Sequence, residues 1–147
     1  METTFRPKLI LAAVDGSPQS THAAQHAVDL ARSCSAKVVL ITVVRPPEGW
    51  WGIEGAPPDP EAFARAVTGH VEILNQTLEA IDADGVDVET REEIGDPTGM
   101  LLEACSALEA DLIVVGRRGA GIMERVLMGS VTDRLAHLAP CPVLIVP

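Results

Sequence analysis

Four runs of this chain are apolar with no polar alternation: Lys8–Asp15 (KLILAAVD), Lys37–Val44 (KVVLITVV), Leu112–Val115 (LIVV) and Pro142–Val146 (PVLIV). Short runs rich in Val and Ile read as strands, the first three buried and the last closing the chain. They are too short for a membrane: the longest purely apolar stretch, Leu9–Val14, has six residues, whereas a span takes about 20. A strand covered on both faces needs helices on each side of its sheet. Pro18–Cys34 is one such helix, with Ser17 as N-cap, Pro18 at the first position and Ala23, Ala27, Leu30 and Ala31 on one face. Glu61–Asp84 is a second, with Val67, Val71, Leu74, Leu78 and Ile81 as its buried stripe. Asp96-Pro97 opens a third, Pro97–Leu108, and Ser130–Leu138 is a fourth, with Ser130 and Asp133 spaced as a capping box. Val86–Glu93 alternates Val86, Val88 and Thr90 with acids, a strand with one wet face near a sheet edge.

Strands alternating with helices define a single doubly wound α/β domain, 1–147, around a mainly parallel sheet. The length of 147 residues suits one domain. Arg45–Pro60 breaks the pattern with five prolines and three glycines, and its Trp50 and Trp51 read as a loop anchor.

Charge narrows the function. The net charge is −10, which disfavours nucleic acid as a partner. Gln76–Asp111 holds eleven acids and one base, whereas Arg117, Arg118 and Arg125 cluster with a single acid, Glu124. A positive spot in an acidic chain suits a small anion. The start METTFRPK shows no export pattern, and Cys34, Cys105 and Cys141 are odd in number and widely spaced. The expectation is a cytoplasmic protein with reduced thiols and no membrane association.

Ligands of doubly wound sheets bind beyond the carboxyl ends of the strands, where the strand order reverses. Strand one ends in Asp15-Gly16-Ser17 and strand four in Gly116-Arg117-Arg118-Gly119-Ala120-Gly121. Successive glycines let backbone N–H groups converge into an anion-binding nest. Gly129-Ser130 then opens the last helix, whose N-terminus also favours an anion. Asp15 can accept from a ribose hydroxyl or help to hold a metal ion. The G-x-x-x-x-G-K-[ST] loop is absent, and no G-x-G-x-x-G follows strand one. His22 and His26 share a helical i, i+4 spacing without the acid of an H-E-x-x-H motif, and His70 and His137 read as helix-surface residues.

The segment GRRGAGIMERVLMGS places Gly116, two residues, Gly119, nine residues, Gly129 and Ser130. With ILAAVDGS, the GDP turn at Gly95–Pro97, DLIVVGRRG and the ending GSVTDRLAHLAPCPVLIVP, it resembles the nucleotide-binding subgroup of the universal stress protein family over nearly the full chain. The resemblance implies a five-stranded parallel sheet in order 3-2-1-4-5 that binds ATP as a Mg complex. Asp15 would contact the ribose or the phosphate-bound Mg, and Val43 would meet the adenine through its backbone. Gly116, Gly119, Gly129 and Ser130 would hold ribose and phosphates, with Val131 adding a backbone N–H. Arg117 and Arg118 occupy variable positions of the motif, where they can strengthen phosphate binding. The resemblance also implies a homodimer through Pro142–Val146, an apolar edge that pairing would cover.

Two functional classes follow. One is a regulatory module that binds ATP with slow or no hydrolysis, since the matched positions supply neither a P-loop lysine nor a general base. The other is an ATP hydrolase or phosphotransferase using Asp15, the arginines and Mg. A receiver domain needs an Asp ending strand three and a Lys in strand five, and a flavin site needs a different glycine pattern; neither stands here.

Overall fold

The computed structural model describes residues 4–46, 59–118 and 128–147. In chain order they form β1 (Leu9–Ala13), α1 (Pro18–Cys34), β2 (Lys37–Val44), α2 (Pro60–Ala80), β3 (Val88–Ile94), α3 (Pro97–Leu108), β4 (Leu112–Gly116), α4 (Ser130–Leu138) and β5 (Val143–Val146). All strand pairs are parallel, in the order β3-β2-β1-β4-β5. Parallel neighbours require crossovers, and right-handed ones place the helices on both faces. The expected strand order and doubly wound domain are therefore observed. No helix among the described residues is long and apolar enough to cross a membrane.

Side-chain alternation along the strands builds two cores. Ile10, Ala12, Val14, Val38, Leu40, Leu112 and Val114 pack with the alanines of α1 and with Leu74 of α2. Leu11, Val39, Ile41, Ile113 and Val115 pack with Leu101, Ala104 and Cys105 of α3 and with Leu135 of α4. α1 meets the sheet through Ser20, Ala23, Ala24, Ala27, Val28 and Ala31, all buried. A helix face made mostly of alanine lets its backbone lie close to the strands, leaving little space to be filled by larger groups.

Three local departures have physical causes. α2 ends at Ala80, not Asp84, because turn chemistry takes over: the Asp82 carboxylate accepts from the Asp84 N–H at 3.1 Å and Gly85 adopts φ +76°. Gln25 and Arg32 of α1 hold this turn through the backbone of Asp82 and Asp84. Within α2, Val71 faces solvent, and the buried stripe runs through Leu74 and Thr77, with Ile73 and Leu78 packed beside it. The third departure is β3, which begins at Val88; Thr90, expected to face inward, is exposed on this edge strand.

Replacing Ala27 with Leu should overpack the α1–sheet interface and cost about 1–3 kcal/mol. The measurement is urea unfolding: a lower midpoint with an unchanged slope is expected, and an unchanged midpoint would show that α1 has room to spare.

Candidate functional site

β1 and β4 pair only as far as Ala12 opposite Val114. Beyond that point the chain leaves β1 toward α1 on one face and leaves β4 toward α4 on the other, so the two strand ends part. The Val14 N–H still donates to the Ile41 carbonyl at 2.9 Å, which keeps β1 against β2 up to the edge of the gap. A cavity of about 410 Å³ opens there, a size ordinary for small-molecule sites.

The β1–α1 turn is tightly organised. Gly16 takes φ +86°, a left-handed conformation that aims the chain into α1. The Asp15 carboxylate accepts from the Ser17 N–H at 2.9 Å, and the Ser17 hydroxyl accepts from the Ser20 N–H at 3.1 Å. Ser17 is thus the helix cap, and Asp15 shapes the turn while its exposed carboxylate lines the cavity. Across the gap, Gly116 lies against α1. A Cβ there would stand 3.0 Å from the Gln19 Cβ and 3.1 Å from the Gln19 carbonyl carbon, so a backbone would have to move.

The loop after β4 is anchored at both ends. The Arg117 N–H donates to Val146 O at 2.7 Å, the Gly129 N–H donates to Arg117 O at 2.8 Å, and the Thr132 hydroxyl donates to Gly116 O at 2.8 Å. α4 starts differently from the other helices. Ser17, Asp59 and Asp96 cap α1, α2 and α3 with side-chain oxygens, whereas α4 has Gly129 at its cap with no side-chain bond. Ser130, expected as N-cap with Asp133 completing a capping box, is instead the first helical residue. Glycine offers no oxygen, so the first-turn amides of α4 stay open to a ligand where Gly129, Ser130, Val131 and Thr132 line the cavity.

The structure therefore brings together Asp15, Val43, Gly116, Gly129, Ser130 and Val131 around one space. Arg117 does not line it; its Nε is buried and meets no acceptor among the described residues. Arg118 lines the cavity in its place. Gly119, Gly121, Arg125, Trp50 and Trp51 lie outside the described residues. Two titratable groups were not expected at the site: Arg45, at the exit of β2, and His70 of α2. Arg45 follows a strand's carboxyl end, a position where ligands are expected. His70 carries no such signal, because its placement depends on the angle at which α2 crosses the sheet. Its Nδ1 stands 2.7 Å from the Ala66 carbonyl. A carbonyl only accepts, so Nδ1 carries a proton, and in the neutral ring Nε2 is an acceptor.

Elsewhere, His22 and His26 are exposed, with His26 Nδ1 bonded to the His22 carbonyl at 2.8 Å. No group of three or more His, Cys, Asp or Glu side chains is arranged for a metal ion among the described residues.

Fold and site together define a doubly wound α/β protein with a switch-point cavity suited to a small anionic ligand. The family model for the universal stress protein family matches residues 7–147, and the chain belongs to that family. A universal stress protein of Methanocaldococcus jannaschii, MJ0531, is 34% identical over 146 residues, covering 95% of this chain and 81% of the relative. Among solved structures, UspA from Lactobacillus plantarum matches with a TM-score of 0.73 at 25% identity, covering 98% of this chain and all of the other. A universal stress protein solved in complex with cAMP matches with a TM-score of 0.72 at 26% identity, covering 97% and 98% of the two chains.

Gly116→Ala should cost about 1–3 kcal/mol without any ligand present, because its Cβ meets the Gln19 backbone. Gly69→Ala is the contrast: nothing lies within 4 Å of its Cβ, in the body of α2, and it should gain up to about 1 kcal/mol. Thermal unfolding of both variants, read as opposite shifts in Tm, checks the assignment.

Proposed function

We propose that this protein is a nucleotide-binding module of the stress response that holds an adenine nucleotide, ATP as its Mg complex, and hydrolyses it slowly or not at all. One observation carries the reading: a single cavity is lined both by the uncapped N-terminus of α4, Gly116, Gly129 and Arg118 and by apolar residues of the strand ends and α3. The first set suits phosphates, through open amides, a helix dipole and a cation. The second set, with Ile41, Val43 and Leu101, suits the faces of a base. The relative solved with cAMP supports a nucleotide of this kind.

The residues fit magnesium carried on the phosphates. Mg²⁺ is held by one or two carboxylates together with phosphate oxygens and waters, and Asp15 is the carboxylate among the described lining residues. When bound, the ion would neutralise phosphate charge. In this reading Asp15 holds the ion or the ribose, Arg118 pairs with phosphate, Ser130 and Val131 donate N–H groups, and the backbone of Val43 meets the base. Gly119 and Arg117 belong to the same segment as framing residues. His70 Nε2, an acceptor in the neutral ring, suits the exocyclic amine of adenine. The hydrolase reading also rests on His70, since an acceptor nitrogen in the cavity is a base that could take a proton from water.

The deciding experiment purifies the protein without added nucleotide, denatures it, and identifies what is released by chromatography and mass. Stoichiometric ATP is expected. Arg118→Ala should weaken Mg-ATP binding about tenfold, the scale of a lost charged hydrogen bond, with a smaller loss for AMP. Absence of released nucleotide, together with no thermal shift on adding Mg-ATP, ADP, AMP or cAMP, would overturn the reading. Turnover on the order of 1 s⁻¹ that disappears in His70→Ala would replace the module by an enzyme.

The same reading includes a homodimer through β5. This strand pairs only with β4, and Leu144 is 38% exposed on it. An apolar edge strand is a template for pairing. Leu144→Lys should convert a dimer to a monomer in sedimentation, and identical masses for both proteins would remove β5 from the interface.

A further inference from the structure

Cys105 and Cys141 are 36 positions apart in sequence, yet their sulfurs stand 3.3 Å apart. Cys105 lies in α3, one helical turn beyond Leu101, and is buried. Cys141 lies between α4 and β5 and is partly exposed. Both are free thiols, as is Cys34, whose Sγ turns instead to the carbonyls of Leu30 and Pro7. A disulfide has an S–S length of about 2.05 Å, so closure needs the two sulfurs to approach by little more than an ångström.

We propose that Cys105 and Cys141 form a modification site, a dithiol that peroxide-class oxidants convert to an intramolecular disulfide. Cys141 is the sulfur that an oxidant reaches. Its thiolate attacks one peroxide oxygen, the O–O bond breaks, and Cys141 becomes a sulfenic acid with release of one water. The Cys105 sulfur then attacks the Cys141 sulfur. The S–O bond breaks, a second water leaves, and two thiols have been oxidised by two electrons while one peroxide has been reduced. The nearby buried partner intercepts the sulfenic acid before further oxidation.

Burial, aided by the hydrogen bond to Cys105 and the Cys105 and Asp111 charges, pushes the Cys141 thiol up to about 12, while the backbone at Ile113 opposes this. A scarce thiolate reacts slowly, so the site answers sustained exposure to oxidant rather than brief pulses. The bridge would tie α3 to the entry of β5 and enclose β4, the glycine segment and α4 in one covalent loop. That loop carries seven of the eighteen described residues that line the cavity, from Val115 to Thr132. The chemistry of the thiol pair itself does not depend on what the cavity binds.

The test uses the full chain, purified with reductant that is then removed, and exposed to hydrogen peroxide. Titratable thiols should fall from three to one, the intact mass should fall by two hydrogens, and peptide mapping should join Cys105 to Cys141. The Tm of the oxidised chain should rise by about 10 °C, the scale of closing a loop of this length. Cys34→Ser should behave alike, with thiols falling from two to none. In Cys105→Ser, Cys141 should instead accumulate a dimedone-reactive sulfenic acid; if that variant does not fold, Cys141→Ser, which should form no bridge, takes its place. Unchanged thiol counts, a bridge involving Cys34, a bridge between chains, or an oxidised chain with lower Tm would overturn the proposal.

Discussion

The close seating of α1 on the sheet is the constraint from which the rest of the structure follows. Its buried face is four alanines with Ser20 and Val28, so the helix backbone comes near enough to β4 that residue 116 has no space for a Cβ. The same seating fixes the β1–α1 turn, where Gly16 at φ +86° and the paired caps of Asp15 and Ser17 bring the chain round in three residues. With α1 held there, Asp15 stays at the edge of the gap where β1 and β4 part, its carboxylate accepting from the Ser17 N–H. A larger residue at Ala23 or Ala27 would disturb the site indirectly, by lifting the helix that frames it.

The site then follows from one omission in helix capping. An uncapped first turn in a buried setting normally costs free energy, since its N–H groups lose water without gaining partners. Three helices meet that demand with Ser17, Asp59 and Asp96. α4 places Gly129 where an oxygen would serve, and it does so beside a cavity that admits solvent or ligand. The Thr132 hydroxyl, which might have capped locally, is instead committed to Gly116 O, locking α4 to the end of β4. The amides are therefore held in place by neighbouring bonds and kept available. This is preorganisation: the ordering of the donors precedes the arrival of an anion and need not be supplied by it.

Most of the architecture was legible in the sequence because each layer repeats a local rule. Unalternating β-branched runs marked β1, β2 and β4 as strands covered on both faces, and the Ser17-Pro18 and Asp96-Pro97 pairs marked the starts of α1 and α3. The ends were less legible where two rules compete: the apolar period of α2 continues to Ile81, but Asp82, Asp84 and Gly85 form a turn that ends the helix at Ala80. Val71 fits the period and still faces water. At the site, strand ends and glycines could be read from order alone, since topology sends every strand end to the same side. Which of two adjacent arginines faces the cavity could not, because the turn after β4 decides it. The meeting of Cys105 with Cys141 was equally hidden, since it depends on how α3 lies against the last crossover.

On the proposed function, the charge distribution would make the cavity selective in a way that composition conceals. The chain carries −10 overall, so any anion approaching it meets repulsion that falls off over a Debye length of about 8 Å at physiological salt. Among the described residues that line the cavity, Arg45 and Arg118 stand against one acid, Asp15. A polyanion such as nucleic acid would extend beyond the local positive region into the acidic surround, whereas a compact anion fits inside it. In the proposed Mg-ATP reading, magnesium would sharpen the same distinction, because a metal-bound triphosphate would present less charge to the distant acids while still offering oxygens to α4 and Arg118. On that reading the acidic surface and the cationic lining would act together, the first excluding extended anions and the second retaining small ones.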